Sequence, residues 1–400
     1  MKWIRNKLRQ LFFVYRHEFY LTFHDGGILL FFTFLPFAYP ILYSLIYNPE
    51  LVRDVKMVVV DHDMSSTSRE LVRRIDATQE ARVIGYAADL NEGRKAMDSH
   101  DCYAILEIPE GFERRIGRLE TGNAVMYCEM SLLLRYRGFL VAATNVAMDM
   151  GARITDERIE EVAPLVETLE TGDFMPIGNV SLGNIENGFD SFIMPGIVIL
   201  ILHQCLILAA CMAGGAKLED PHLIGYRPVN EMPSILMTML GQMLCYMTII
   251  YVPSIFLYHY VPLLFSFPMA GNPFEEMAFI LPMVIASLSL GFVMQGFVAQ
   301  RESVFIFWVV TSVMFLFLSG LTWPRFAMPP FWKVVSDLVP ATWGIEGFIR
   351  MNTNGASLAQ VKDPYIYLWI QAGAYFMIAY FVHRWAIRPK LRGKLKYSNV

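Results

Sequence analysis

LSGLTWPRFAMPPFWKVVSDLVPATWGIEGFIR, residues 318–350, decides how the chain is read. An apolar run ends at Ser319-Gly320, and prolines follow at 324, 329, 330 and 340. Each proline removes a backbone donor and favours a turn, so this stretch is not one unbroken membrane helix. Phe326, Phe331, Trp332 and Trp343 have the amphipathic character of residues that settle at a membrane–water interface. The pattern predicts short helices that re-enter the outer leaflet, linked near Pro324 to Pro330 and again near Pro340. They are expected to pack against a fifth and a sixth span, because irregular backbone at that depth must be covered by protein or water. The plainer alternative is an extracytoplasmic loop carrying aromatic anchors.

The rest of the sequence agrees with a membrane setting. The 400 residues are 55% hydrophobic and only 18% charged, below the quarter usual for soluble domains. The net charge of −4 is too small to suggest a nucleic-acid partner. A hydrocarbon core of about 30 Å calls for roughly 20 apolar helical residues. Six segments qualify: 28–47, 189–213, 234–258, 277–299, 304–321 and 365–387. The first lacks a small-residue cleavage site and is too long for a signal peptide. Lys and Arg cluster at both ends, with Arg5, Lys7, Arg9 and Arg16 before the first span and Arg388, Lys390, Arg392 and Lys394 after the last. With Arg301 between spans four and five, the positive-inside rule puts both termini in the cytoplasm. Residues 1–27 alternate aromatic and basic character, with Lys7, Arg9, Arg16 and Glu18 on the polar flank, and predict an amphipathic helix lying on the membrane surface.

Residues 48–188 are soluble in character and would lie outside the cytoplasm. Lys56–Val60, Arg82–Tyr86, Cys102–Ile108 and Ala124–Glu129 predict four strands. Ser66 or Ser68 is the expected cap of a helix through Arg69–Ile75, Asp89 with Glu92 suggests a capping box, and Pro109 is expected to open a helix. A long helix from about Leu132 to Glu161 follows. The alternation predicts a small α/β domain inserted between the first two spans. Asp61, His62 and Asp63 could ligate a metal or cap the helix after them; no second ligand cluster has metal-site spacing. Cys102 and Cys128 could form a disulfide in an oxidising compartment, which spacing alone does not decide.

Ser319-Gly320, Pro324, Met328-Pro329, Pro340 with Thr342, and Arg350 resemble the region between the last two spans of type-2 ABC exporter permeases. Val60–Asp63 followed by Ser68–Leu71, and Ile105–Phe112, are similar to the subgroup with a large domain between the first two spans. The resemblance implies a type V ABC exporter-like fold: a polytopic α-helical membrane protein with six transmembrane helices plus an inserted extracytoplasmic α/β domain. It implies a re-entrant segment over 322–364 built on Ser319, Gly320, Pro324, Met328, Pro329, Pro340 and Thr342, and a basic tail over 388–400. It also makes the loop 214–231, between the second and third spans, the coupling element that docks on an ATPase, with Glu219, Asp220 and Pro228 as its candidate contacts. The family's Gly-Thr is absent there, and Pro221 interrupts.

The chain lacks a phosphate-binding loop: Gly117 and Gly122 have the spacing, but Asn123 stands where Lys is needed. No nucleophile elbow or His-Glu-x-x-His pair occurs. It is therefore read as a permease that is no enzyme and holds no cofactor, with ATP and Mg bound by a separate ATPase. The resemblance implies two ATPase copies and a second permease, identical or related, in a bacterial inner membrane. It leaves open a periplasmic adaptor with an outer-membrane channel. Gln204, Gln242 and Gln295 inside spans mark either a polar route or hydrogen bonds between helices. The expected function is export of an amphipathic or hydrophobic substrate. The alternative is a membrane-anchored receptor or adhesion protein acting through residues 48–188.

Overall fold

Asp25 ends the first helix and starts the second, and the same economy of short polar devices between apolar helices recurs along the chain. The computed structural model describes residues 2–47, 52–118, 120–131, 133–162, 184, 188–225, 233–298 and 300–397. Helix α1 (Lys2–His24) leads into α2 (Gly26–Tyr47), whose first amides, Gly27 and Ile28, donate to Asp25 Oδ1 at 3.0 and 3.2 Å. Next come β1 (Val55–Asp61), α3 (Ser66–Asp76), β2 (Ala81–Tyr86), α4 (Leu90–Asp98), β3 (Ala104–Ile108), α5 (Phe112–Gly117), β4 (Val125–Cys128) and α6 (Leu133–Val162). Then follow α7 (Phe189–Glu219), a 3-10 turn (Pro221–Ile224), α8 (Ile235–Phe265), α9 (Pro273–Met294), α10 (Ser303–Leu318), α11 (Pro330–Asp337), α12 (Pro340–Asn352) and α13 (Lys362–Lys394). The chain divides into two compact units: Met1–Asn48 with Ser181–Val400, and Pro49–Val180.

The smaller unit holds a four-stranded sheet in the order β2-β1-β3-β4. The β1 strand is parallel to both β2 and β3, and β4 is antiparallel to β3, with Ala104 opposite Cys128. Met57, Val59, Leu106 and Ile108 are buried in one core with Leu71 and Ile75 of α3 and Phe139 and Ala142 of α6. On the other face Gly93 brings α4 close to the sheet, since a Cβ there would lie 3.2 Å from Ile105.

Several local expectations change. The cap of α3 is Ser65, whose Oγ accepts from the Ser68 amide at 3.0 Å. Ser68 lies inside the first turn and donates its hydroxyl to Asp61 Oδ2 at 2.6 Å. Pro109 does not open α5. The chain turns at Gly111, in the left-handed region at φ 77°, and Asp63 supplies the missing cap from 48 residues earlier. Its carboxylate accepts from the amides of Gly111, Phe112 and Glu113 at 2.7, 3.0 and 3.0 Å. Asp61 and Asp63 thus hold amides and a hydroxyl in place. Asp89 does cap α4 through the Glu92 amide at 2.8 Å, but Glu92 reaches back to the Ala88 amide rather than to that of Asp89. Cys102 and Cys128 are free thiols.

In the larger unit five helices are long and apolar enough to cross a bilayer among the described residues: α2, α7, α8, α9 and α13. The fifth apolar segment, α10, has 16 residues, which at 1.5 Å each span about 24 Å. It ends at Ser319 and Gly320, the latter at φ 86°. Helix α7 is the centre of the unit, buried along most of its length and packed against α2, α9, α10 and α12. An all-round apolar helix demands such a place. It meets α9 at small residues, where a Cβ on Gly291 would lie 2.9 Å from Ala210 Cβ.

Helix α11 packs on α10, and α12 has neighbours beyond the expected last span. Helix α12 lies against α7, α9 and α13. A Cβ on Gly344 would lie 3.1 Å from both Ile199 and Met283, and one on Gly347 would lie 2.1 Å from the Phe279 ring. Glycine at both positions lets the helix sink among the second, fourth and last apolar segments. The fifth is touched at its end, where the Leu318 carbonyl accepts from Ser336 Oγ at 2.6 Å and Thr342 Oγ1 at 3.4 Å.

Candidate functional site

Two constructions gather the candidate residues, one around α1 and one after α10. Helix α1 presents Trp3, Ile4, Phe12, Phe19 and Phe23 outward and buries Val14, Glu18, Leu21 and Thr22 against α8. The helices approach closely at Gly241, where a Cβ would lie 2.7 Å from that of Val14. One turn on, Glu18 enters the core rather than the polar flank expected for it. Its Oε1 pairs with Lys217 of α7 and accepts from Gln242 Nε2 at 2.9 Å, and its Oε2 accepts from Tyr246 at 2.9 Å. Burial opposes its ionisation, but Lys217 and these donors hold its pKa below the ordinary carboxylate value. A buried carboxylate with a cation and two further donors is the arrangement that makes such burial tolerable.

The same helix grips the chain beyond α7. His17 Nε2 donates to the Leu223 carbonyl in the 3-10 turn at 2.6 Å, and Gln10 accepts from the Ser234 amide at 3.4 Å. Arg301 bridges Asp25, at 2.8 Å, and Glu219, at 3.3 Å, and its amide donates to Glu219 at 2.7 Å. Of the candidate coupling residues, Glu219 is therefore occupied within the chain. Asp220 caps the 3-10 turn by accepting from the His222 amide at 2.9 Å, and Pro228 lies outside the described residues.

The three span glutamines do not form one line. Gln242 and Gln295 share a small cavity of about 70 Å³ with Glu18, Lys217 and His383. Gln295 donates to the Ala210 carbonyl at 2.6 Å, a bond between helices. Gln204 is half-buried and lies outside that cavity. Its neighbour His203 bonds Ser287 of α9 through Nδ1 at 2.7 Å.

After α10, Ser319, Gly320 and Pro324 line a cavity of about 730 Å³, whereas Met328 and Pro329 line a separate apolar groove with Phe317 and Trp332. Pro340 starts α12 and is buried with Thr342. The clamp here is Arg325, which pairs with both Asp337 and Glu346 and sits over the Trp343 ring with its guanidinium carbon 4.2 Å from the centroid. Trp343 stacks on Tyr367 of α13 at 4.3 Å and donates to the Asp337 carbonyl at 3.1 Å. Arg350 pairs with Glu346 at 2.9 Å.

Glu18, Lys217 and Arg325 were not singled out by motif. A signal existed for the first, an acid in the Val14–Glu18–Leu21 stripe; Lys217 falls past the apolar run, in the stretch expected to be loop, and α7 carries it in its last turn.

Long apolar helices around a buried central one, with two short proline-started helices set into one end, define a polytopic helical membrane protein. Residues 27–381 match the family described as ABC-2 family transporter protein, and the chain belongs to that family. The family is a membrane component without an ATPase of its own and normally pairs with an ABC ATPase. It gives no support to the receptor or adhesion alternative. No curated protein matches the chain.

Proposed function

We propose that the chain is the permease subunit of an ATP-driven exporter, working with a second permease, identical or related, and two ATPase subunits that bind ATP and Mg. In this reading α2, α7, α8, α9, α10 and α13 are six spans, both termini are cytoplasmic in a bacterial inner membrane, and residues 48–188 form an outer α/β domain. The substrate is amphipathic or hydrophobic and leaves the cytoplasm or inner leaflet.

The observation that carries the mechanical part is the Glu18–Lys217 pair together with the His17–Leu223 bond. One helix turn of α1 holds the end of α7, the turn after it and α8. A push on the 3-10 turn then reaches two spans through one rigid helix. In this reading Asp220, exposed at the cap of that turn, contacts the ATPase, while Glu219 sets the turn's direction through Arg301. At the far end, α11 and α12 close the route until the spans move.

The test is co-purification of the full chain with an ABC ATPase and measurement of ATP-dependent substrate movement in vesicles. Association, with transport lost in an Asp220→Ala variant that still assembles, is expected. A chain that binds no ABC ATPase, or hydrolyses ATP when rigorously isolated, overturns the proposal.

A further inference from the structure

The cavity beside Gly320 has a charge pattern that selects its ligand. It holds about 730 Å³, the size of sites that take small organic molecules. Phe192, Leu321, Ile345 and Ile349 give it apolar walls, and Arg325, Lys333 and Arg350 give it three cations. Glu346 is the carboxylate in its lining, and both of its oxygens are already engaged, one by Arg325 and one by Arg350. Asp337 takes a further Arg325 nitrogen. Three cations thus face two committed carboxylates, and Lys333 has no ion pair among the described residues. Among the described residues, Arg325 Nε and Thr353 Oγ1 in the lining are buried without a hydrogen-bond partner, with Thr353 only 9% exposed. Buried donors without acceptors are costly and call for an acceptor-rich group.

We propose that this cavity binds the anionic headgroup of a phosphate-bearing amphiphile, with its chain along Phe192, Leu321, Ile345 and Ile349. Among the described lining residues, a cationic headgroup would meet three like charges and no uncommitted carboxylate. A free phosphate ion would satisfy the donors but leave the apolar walls facing water. A lipid-like molecule does both tasks, and its place beside α11 and α12 makes it a substrate or a lipid held at the outer end of the route. This assignment of class rests on the exporter reading for its meaning, while the binding itself does not.

The test uses the purified full chain, without an ATPase, in nanodiscs of zwitterionic phosphatidylcholine. Trace photoactivatable phosphatidylglycerol or phosphatidylcholine is added, and the crosslinked peptides are mapped by mass spectrometry. The expected result is labelling of peptides holding Phe192, Leu321 or Ile345, at least about tenfold higher for phosphatidylglycerol. A tenfold difference corresponds to about 1.4 kcal/mol. Lys333→Gln, which removes no ion pair, should lower that labelling severalfold, and Lys333→Gln with Arg350→Gln should reduce it to the phosphatidylcholine level. Equal labelling by the two lipids, or labelling indifferent to Lys333→Gln, overturns the proposal. So does full protection by millimolar inorganic phosphate, which would make this an ion site. Binding is read on the permease alone, so failure here leaves the exporter reading standing. Failure of ATPase association leaves the binding result intact.

Discussion

Glu18 of α1 and Lys217 of α7 form a buried ion pair between residues 199 positions apart. Gln242 and Tyr246 complete the shell of Glu18, so one carboxylate joins α1, α7 and α8. Removing one member of a buried pair leaves the other charge without compensation, which is worse than never having had the pair.

Glu18→Ala should therefore destabilise the full chain by about 3–5 kcal/mol, the range for an orphaned buried partner. Replacing both, as Glu18→Leu with Lys217→Met, should recover much of that loss. Unfolding of the purified chain in detergent measures both. A Glu18→Ala chain as stable as the wild type would remove the pair from the account of the fold.

At Gly347 the prediction concerns space. A Cβ there would lie 2.1 Å from the Phe279 ring, so Gly347→Ala should cost about 1–3 kcal/mol as overpacking. Phe279→Leu in the same chain should return part of it, because the smaller side chain vacates the contact. Thermal stability of the two variants is the readout, and lack of rescue by Phe279→Leu would contradict the proposed contact.

The cap across the smaller unit should make it acid-sensitive. Partial burial of Asp63 works against ionisation, but Ser65 and the amides of Glu113, Gly111 and Phe112 hold its pKa below the usual 3.8. Hydrogen bonds from Ser66 and Thr67 likewise depress Glu113 below 4.5. For a carboxylate lowered on folding, the stabilisation is complete above the unfolded value and disappears as pH falls through the folded one. The stability gap between wild type and Asp63→Asn should thus be widest at about pH 5 and shrink towards about pH 2.5. Melting curves across that window decide it, and a gap independent of pH would mean that Asp63 is not the titrating cap.

Topology can be read by thiol labelling. With native cysteines replaced by alanine, Glu92→Cys on α4 should react with a membrane-impermeant maleimide in intact spheroplasts. Labelling only after permeabilisation would reverse the proposed orientation.

Much of this architecture could be read along the chain. A helix crossing hydrocarbon must carry its apolar residues consecutively, so the starts of α2, α7, α8 and α13 lie within a few residues of the expected positions. Proline acts on its own backbone, so the break after Gly320 and the helix starts at Pro330 and Pro340 were legible too. Strands β1 to β4 follow from β-branched and apolar runs for the same local reason. Tertiary structure alone decided where charges and small residues act. The Val14–Leu21 stripe hints at Glu18, but whether its carboxylate leaves water depends on Lys217, Gln242 and Tyr246, brought together only when three helices pack. Asp63 became the cap of α5 because the parallel pairing of β1 with β3 places its end beside Gly111. Helix α12 sank among α7, α9 and α13 because Gly344 and Gly347 face Ile199, Met283 and Phe279, contacts that exist only between distant segments. Hydropathy and backbone chemistry are properties of neighbours in sequence, whereas ion pairing, capping at a distance and close packing belong to neighbours in space.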